Sequence, residues 1–158
     1  MWKGSNWFSK CLVKVFSMSI KENQELIVDE FSVLDEWMDK YNYLIDLGSD
    51  IPLIDPAFRR EENLIRGCQS RVWLDATLKD GRISYKADSD AIITKGIAAL
   101  LIRVFDMHTP EEILDADLFF IESIGLREHL SPTRANGLVS MLKQMKLYAL
   151  AFKTKAES

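Results

Sequence analysis

"VWLDATLKDGRISYKA", residues 72–87, decides the fold class. Val72 to Leu78 is rich in strand-forming residues, and Ile83 to Ala87 reads as the returning strand. Between them, Lys79 to Arg82 carries Asp80-Gly81, a dipeptide that suits the positive φ angles of a tight hairpin. Leu64-Ile65 is expected to add a short third strand. This is the one β-rich zone of the chain, and helical patterns flank it.

Upstream, Ile27, Phe31, Leu34, Met38, Tyr41 and Ile45 recur at steps of three and four. That spacing predicts one amphipathic helix, closed by Gly48. "SDIPLIDPAFRREEN", residues 49–63, holds Pro52 and Pro56 and reads as a loop. Downstream, Asp88-Ser89-Asp90 offers N-cap side chains to a helix over Ala91 to Phe105. "TPEE" is a capping box, with Thr109 as N-cap, Pro110 at N1 and Glu112 at N3. A further short helix is expected over Asp117 to Ile124, closed by Gly125. Ser131-Pro132 opens the last helix, which sets Leu138, Met141, Leu142, Met145, Ala149 and Phe152 on one face. Helix, small antiparallel sheet, then a helical cluster make an α+β fold, the sheet packed against helices.

The 158 residues suit one domain, and 47% apolar with 28% charged residues is ordinary for a globular chain. A net charge of −4 gives no support to nucleic-acid binding. No apolar run nears the roughly 18 residues of a membrane span, so neither nucleic acid nor membrane is an expected partner. Residues 1–17 carry Lys3, Lys10 and Lys14 and no acid, without the apolar core of a signal peptide. They read as a basic leader, disordered or upstream of a start at Met18, ahead of a single domain over 18–158. Two cysteines, Cys11 and Cys68, are too few for a disulfide framework, which favours a reducing, cytoplasmic setting. Neither sits in a CxxC, and His108 and His129 have no zinc-site spacing to them, so no metal is expected.

"IRGCQSRVW", residues 65–73, holds the candidate nucleophile. Cys68 follows Gly67, whose missing side chain permits unusual angles and a close approach by another molecule. Arg66 and Arg71 are placed to stabilise a thiolate, the species that attacks sulfur. A loop cysteine of this kind suits sulfur exchange. Two other readings stand beside it. A lone cysteine next to a glycine also suits a small hydrophobe in a core. A hydrolase would pair Cys68 with His108 or His129, although the local spacing assigns both histidines surface or capping roles.

Four segments, "IRGCQSRVW", "ADSDAIITKGIAALLI", "TPEEI" and "HLSPTRANGL", resemble the SufE family in this order and with similar gaps, from about Glu25 to Ala149. The resemblance implies a fold similar to NifU/IscU-type scaffolds. It also implies a sulfur acceptor for a PLP-dependent, SufS-like cysteine desulfurase. On that pattern the acceptor cysteine takes a persulfide sulfur, stimulates the desulfurase and passes sulfur to iron–sulfur scaffold proteins. The family's acceptor cysteine maps onto Cys68 and its arginine before the last helix onto Arg134. Gly67 and Gln69 then shape the loop, Arg134 orients the donor or stabilises the persulfide anion, and Asp90 and Lys95 set the helix start facing the loop. The PLP belongs to the partner, and no cofactor is expected on this chain. Whether such a protein counts as an enzyme is a matter of definition, since cleavage of the cysteine C–S bond is the partner's. The three cysteines of a scaffold are missing, and a cluster needs several thiolates. The alternative is a non-covalent module that regulates a desulfurase-like partner.

Overall fold

Asp80 and Gly81 both take positive φ, 54° and 79°. Such a turn matches the twist of the strands it joins, and it folds β1 (Val72–Lys79) onto β2 (Arg82–Ser89) with Val72 opposite Ser89 and Lys79 opposite Arg82. The sheet has two strands in this computed structural model, which describes residues 18–157. The leader read at 1–17, with Cys11 in it, lies outside the described residues.

Short bridges cover both edges of the sheet, which would otherwise offer unpaired backbone groups. Leu64 pairs with Trp73, and the Ile65 N–H donates to the Val72 carbonyl at 2.8 Å. The expected third strand is thus a bridge. Beside β2, Leu53 pairs with Ala87 and His108 with Ile83. The inner face buries Val72, Leu74, Ile83, Tyr85 and Ala87.

Two long helices pack with the sheet: α3 (Ile92–Phe105) and α7 (Pro132–Glu157), numbered with the helices given below. The Tyr85 hydroxyl donates to the Met145 carbonyl at 2.8 Å, and the Tyr148 hydroxyl to that of Leu74 at 3.1 Å. The long α7 buries Leu138, Met141, Met145 and Ala149 as its spacing predicts, with Leu142 and Phe152 half-buried.

The single helix expected over 27–45 is instead two, α1 (Ile20–Ser32) and α2 (Trp37–Ser49). The chain turns at 33–36, where Glu36 is extended (φ −100°, ψ 144°). It doubles back so that Phe31 meets Tyr43 edge-on at 5.3 Å. The break shifts the helical phase: Met38 is exposed, and Leu44 and Gly48 face the core. Gly48 and Gly96 let α2 and α3 touch backbone to backbone. A β-carbon on Gly48 would lie 2.9 Å from the Gly96 nitrogen, and one on Gly96 would run into the Leu44 carbonyl.

At the start of α3, Asp88 and Asp90 do not cap. Ala91 is the N-cap and has no side-chain bond to give; the Ser89 hydroxyl accepts the Ala91 N–H at 3.2 Å. The two aspartates serve as braces, described below. The Thr109–Glu112 capping box forms as expected and opens α4 (Pro110–Asp115). The helix expected over 117–124 shrinks to α5 (Phe120–Ser123), then Gly125 at φ 69° leads into α6 (Leu126–His129). Among the described residues no helix is long and apolar enough to cross a membrane.

One ion cluster ties α1, α2 and α3. Arg103 holds both Glu30 oxygens, one at 2.7 Å, and the Tyr43 hydroxyl donates to the same carboxylate. Burial is the largest influence on Glu30 and opposes ionisation. The Arg103 and Tyr43 hydrogen bonds and the Arg103 charge overcome it and leave the carboxyl below its ordinary value. A carboxylate depressed in the folded state adds stability above its unfolded pKa and loses it as pH falls through the folded one. Glu30→Gln is therefore expected to cost about 2 kcal/mol at neutral pH, between surface and buried pairs. The cost should shrink in acid below the ordinary carboxylate range, as chemical denaturation at both pH values would show.

Candidate functional site

Cys68 rides on a loop pinched shut at both ends. The Ile65–Val72 bond closes its base. At the other end the Arg71 backbone is clamped by the end of β2. Its N–H donates to the Asp90 carboxylate at 3.1 Å, and its carbonyl accepts from the Ser89 hydroxyl at 2.8 Å and the Asp90 N–H at 3.2 Å. Gly67 takes φ 93°, and a β-carbon there would meet the Ser140 hydroxyl of α7 at 2.6 Å. Glycine thus serves both angle and space.

The Cys68 side chain is half-buried against α7. Its Sγ lies 3.8 Å from the Gly137 carbonyl, a weak S–H bond, and a β-carbon on Gly137 would sit 3.5 Å from the sulfur. Burial pushes the thiol up from its ordinary value. Arg66 and Arg71 were expected to stabilise a thiolate, whereas burial favours the thiol. Both arginines are exposed. Arg71 contributes its backbone, and Arg66 lines a neighbouring groove of about 480 Å³ with Lys143 and Tyr148.

The sulfur opens on a cavity of about 310 Å³. The hydroxyl residues Ser70, Thr94, Ser131 and Thr133 line it, with Gln69 and Arg134. Arg134 stands in the first turn of α7, its N–H bonded to the Ser131 hydroxyl at 3.3 Å. The structure thus brings Cys68, Gln69 and Arg134 to one space, with Gly67 and Asp90 shaping the loop. Lys95 is turned away onto Asp88 at 3.4 Å. Asp88 is buried and also takes Arg59, which reaches over the Trp73 ring at 6.0 Å. This brace joins the 55–63 loop, β2 and α3 behind the cysteine loop.

Neither histidine lines the cavity. His108, expected at the surface or as a cap, is buried and faces the carbonyls that end α3, Phe105 and Asp106. Its Nδ1 lies 2.9 Å from the Asp106 carbonyl and its Nε2 3.0 Å from that of Met18, which fits a structural role. His129 is exposed and stacks on Trp37 at 3.8 Å. Reading the sequence for a site missed Thr94, Ser131, Thr133 and Gly137. Gly137 had a signal: a glycine inside a helical pattern costs about 1 kcal/mol and flags a close neighbour.

A family model described as "SufE: Fe-S metabolism associated domain" matches residues 25–149. The chain belongs to the SufE family. An uncharacterized SufE-like protein of Rhizobium meliloti (strain 1021) is 40% identical over 125 residues, covering 76% of this chain and 89% of that one. SufE-like protein 1 of Arabidopsis thaliana, described as chloroplastic/mitochondrial, is 39% identical over 132 residues, which is 83% of this chain and 36% of the plant protein. The fold is also that of a hypothetical protein from Thermus thermophilus, solved in solution. It matches with a TM-score of 0.70 at 21% identity, covering 84% of this SufE-family chain and 96% of that one. Membership ties the chain to iron–sulfur metabolism.

Proposed function

We propose that this SufE-family protein accepts persulfide sulfur from a PLP-dependent, SufS-like cysteine desulfurase onto Cys68 and stimulates that enzyme's turnover. It then hands the sulfur to iron–sulfur scaffold proteins in the cytoplasm. One observation carries the reading: the thiol of Cys68, on a pinched loop, opens on a cavity that also holds the Arg134 cation. The Cys68 thiolate attacks the outer sulfur of the donor persulfide. A new S–S bond forms on Cys68, the old one breaks, and the donor cysteine leaves as a thiolate. No general acid is needed, and no histidine lines the site.

Burial of the sulfur gives the partner a task. In the free protein the sulfur packs against the Gly137 carbonyl, and its burial disfavours the thiolate. To meet a persulfide held on another protein, the loop tip has to move outward, and the clamps at Ile65 and Arg71 keep its ends fixed as the tip moves.

Arg134 holds the persulfide anion once formed. Arg134→Ala is expected to lower the rate of sulfur acceptance roughly tenfold or more, the scale of a lost charge-assisted hydrogen bond. The check is alanine formation by the desulfurase with and without added protein, wild type against variant. Unchanged stimulation by Arg134→Ala would remove this residue from the mechanism. Stimulation that survives without a reactive Cys68 would favour the non-covalent regulatory module.

A further inference from the structure

Thr94 is an unusual member of the cysteine cavity. The residue is 6% exposed, it lines the cavity, and no group among the described residues bonds its hydroxyl. No buried side-chain nitrogen or oxygen among the described residues lacks a partner, so the unpartnered Thr94 hydroxyl is not sealed off and keeps access to the cavity it lines. Across the same space stands Arg134, whose guanidinium has no ion pair among the described residues. Ser131 and Thr133 add hydroxyls at the start of the 26-residue α7, the positive end of its dipole. Among the described residues no carboxylate lines the cavity. A cation, a helix start and an unpartnered hydroxyl share one space, which describes a site for a small oxyanion. Sulfate and phosphate share that chemistry, but Cys68 opens on the same space and can react with an oxyanion that carries a sulfane sulfur.

We propose that the cavity binds thiosulfate and that Cys68 takes its sulfane sulfur without a protein donor. This rests on Cys68 as a sulfur acceptor and not on the desulfurase. The thiol first loses its proton to solvent. The thiolate attacks the sulfane sulfur, a bond forms between the two sulfurs, and the thiosulfate S–S bond breaks. Sulfite departs with that electron pair, held until release by Arg134 and the Thr94 hydroxyl. The cysteine sulfur is oxidised by one formal unit and the sulfonyl sulfur is reduced by one, so no outside oxidant is needed.

The test incubates the full chain with thiosulfate alone and, in a parallel arm, with a cysteine desulfurase, PLP and cysteine. Persulfide on Cys68 is read by mass spectrometry and released sulfite by titration. The expected result is one sulfur on Cys68 and an equal amount of sulfite in the thiosulfate arm, with sulfate competing. Thr94→Val should slow that arm several-fold, Thr94→Ser should restore it, and Arg134→Ala should slow it about tenfold. Melting curves of the variants separate lost binding from lost fold. Persulfide in the desulfurase arm but none from thiosulfate overturns this inference and leaves the proposed function standing. The reverse pattern supports the inference and removes the desulfurase. A reaction with thiosulfate that ignores Thr94, Arg134 and sulfate is chemistry of an exposed thiol and also overturns it.

Discussion

Gly96→Ala is expected to destabilise the protein by about 3 kcal/mol, at the upper end of overpacking costs. In a chain of this length that lowers the melting temperature by about 10 °C. Two effects compete. Alanine is the better helix former by about 1 kcal/mol, which alone would raise stability. Against it stands the Leu44 carbonyl of the facing helix, where the new methyl group would have to go. That obstacle is backbone, so no rotamer change relieves it and α2 must move off α3. Leu44, Leu100 and Leu101, all fully buried, would loosen with it. Thermal unfolding followed by circular dichroism decides between the two, and an unchanged or raised melting temperature would contradict the close approach of α2 and α3.

The second large effect is chemical. Cys68→Ser is expected to abolish sulfur acceptance while changing stability by less than about 1 kcal/mol, since the side chain is small and half-buried. A serine hydroxyl ionises far above the pH at which a thiol does and cannot hold a transferred sulfur as a persulfide. Desulfurase turnover should fall to the level seen without added protein. Stimulation kept by a folded Cys68→Ser would mean that the protein acts on its partner's conformation.

How much of this was legible in the sequence follows from the range of the interactions. Asp80-Gly81 and the Thr109–Glu112 box are local: the residues that decide the geometry are within a few positions of each other, and both form as read. The break at 33–36 is not local. Ile27 to Ile45 keeps helical spacing across it, and the chain turns there so that Phe31 and Glu30 can meet Tyr43 and Arg103, contacts set by the tertiary fold. Asp88 and Asp90 show the same limit. Their spacing suits an N-cap, but Arg59, Lys95 and the Arg71 backbone compete for them from elsewhere. His108 was expected at the surface or as a cap; it faces the carbonyls that end α3, but the backbone bridge to Ile83 sets it inside.

The cysteine was legible through the family resemblance and its loop glycine. Its surroundings were not. Arg66 and Arg71 are nearest in sequence, yet the cavity takes its cation from Arg134. The thiol is pushed up by burial where a neighbouring charge was expected to hold the thiolate. A half-buried sulfur next to Gly137 is suited to a protein that waits for its donor before it reacts.

The most direct measurement of the central claim is mass spectrometry of the protein after incubation with a cysteine desulfurase, PLP and cysteine. Acceptance through Cys68 requires a gain of one sulfur atom on the peptide that holds this residue, lost on reduction and missing from Cys68→Ser. No gain on that peptide, from a desulfurase shown to be turning over, would contradict it.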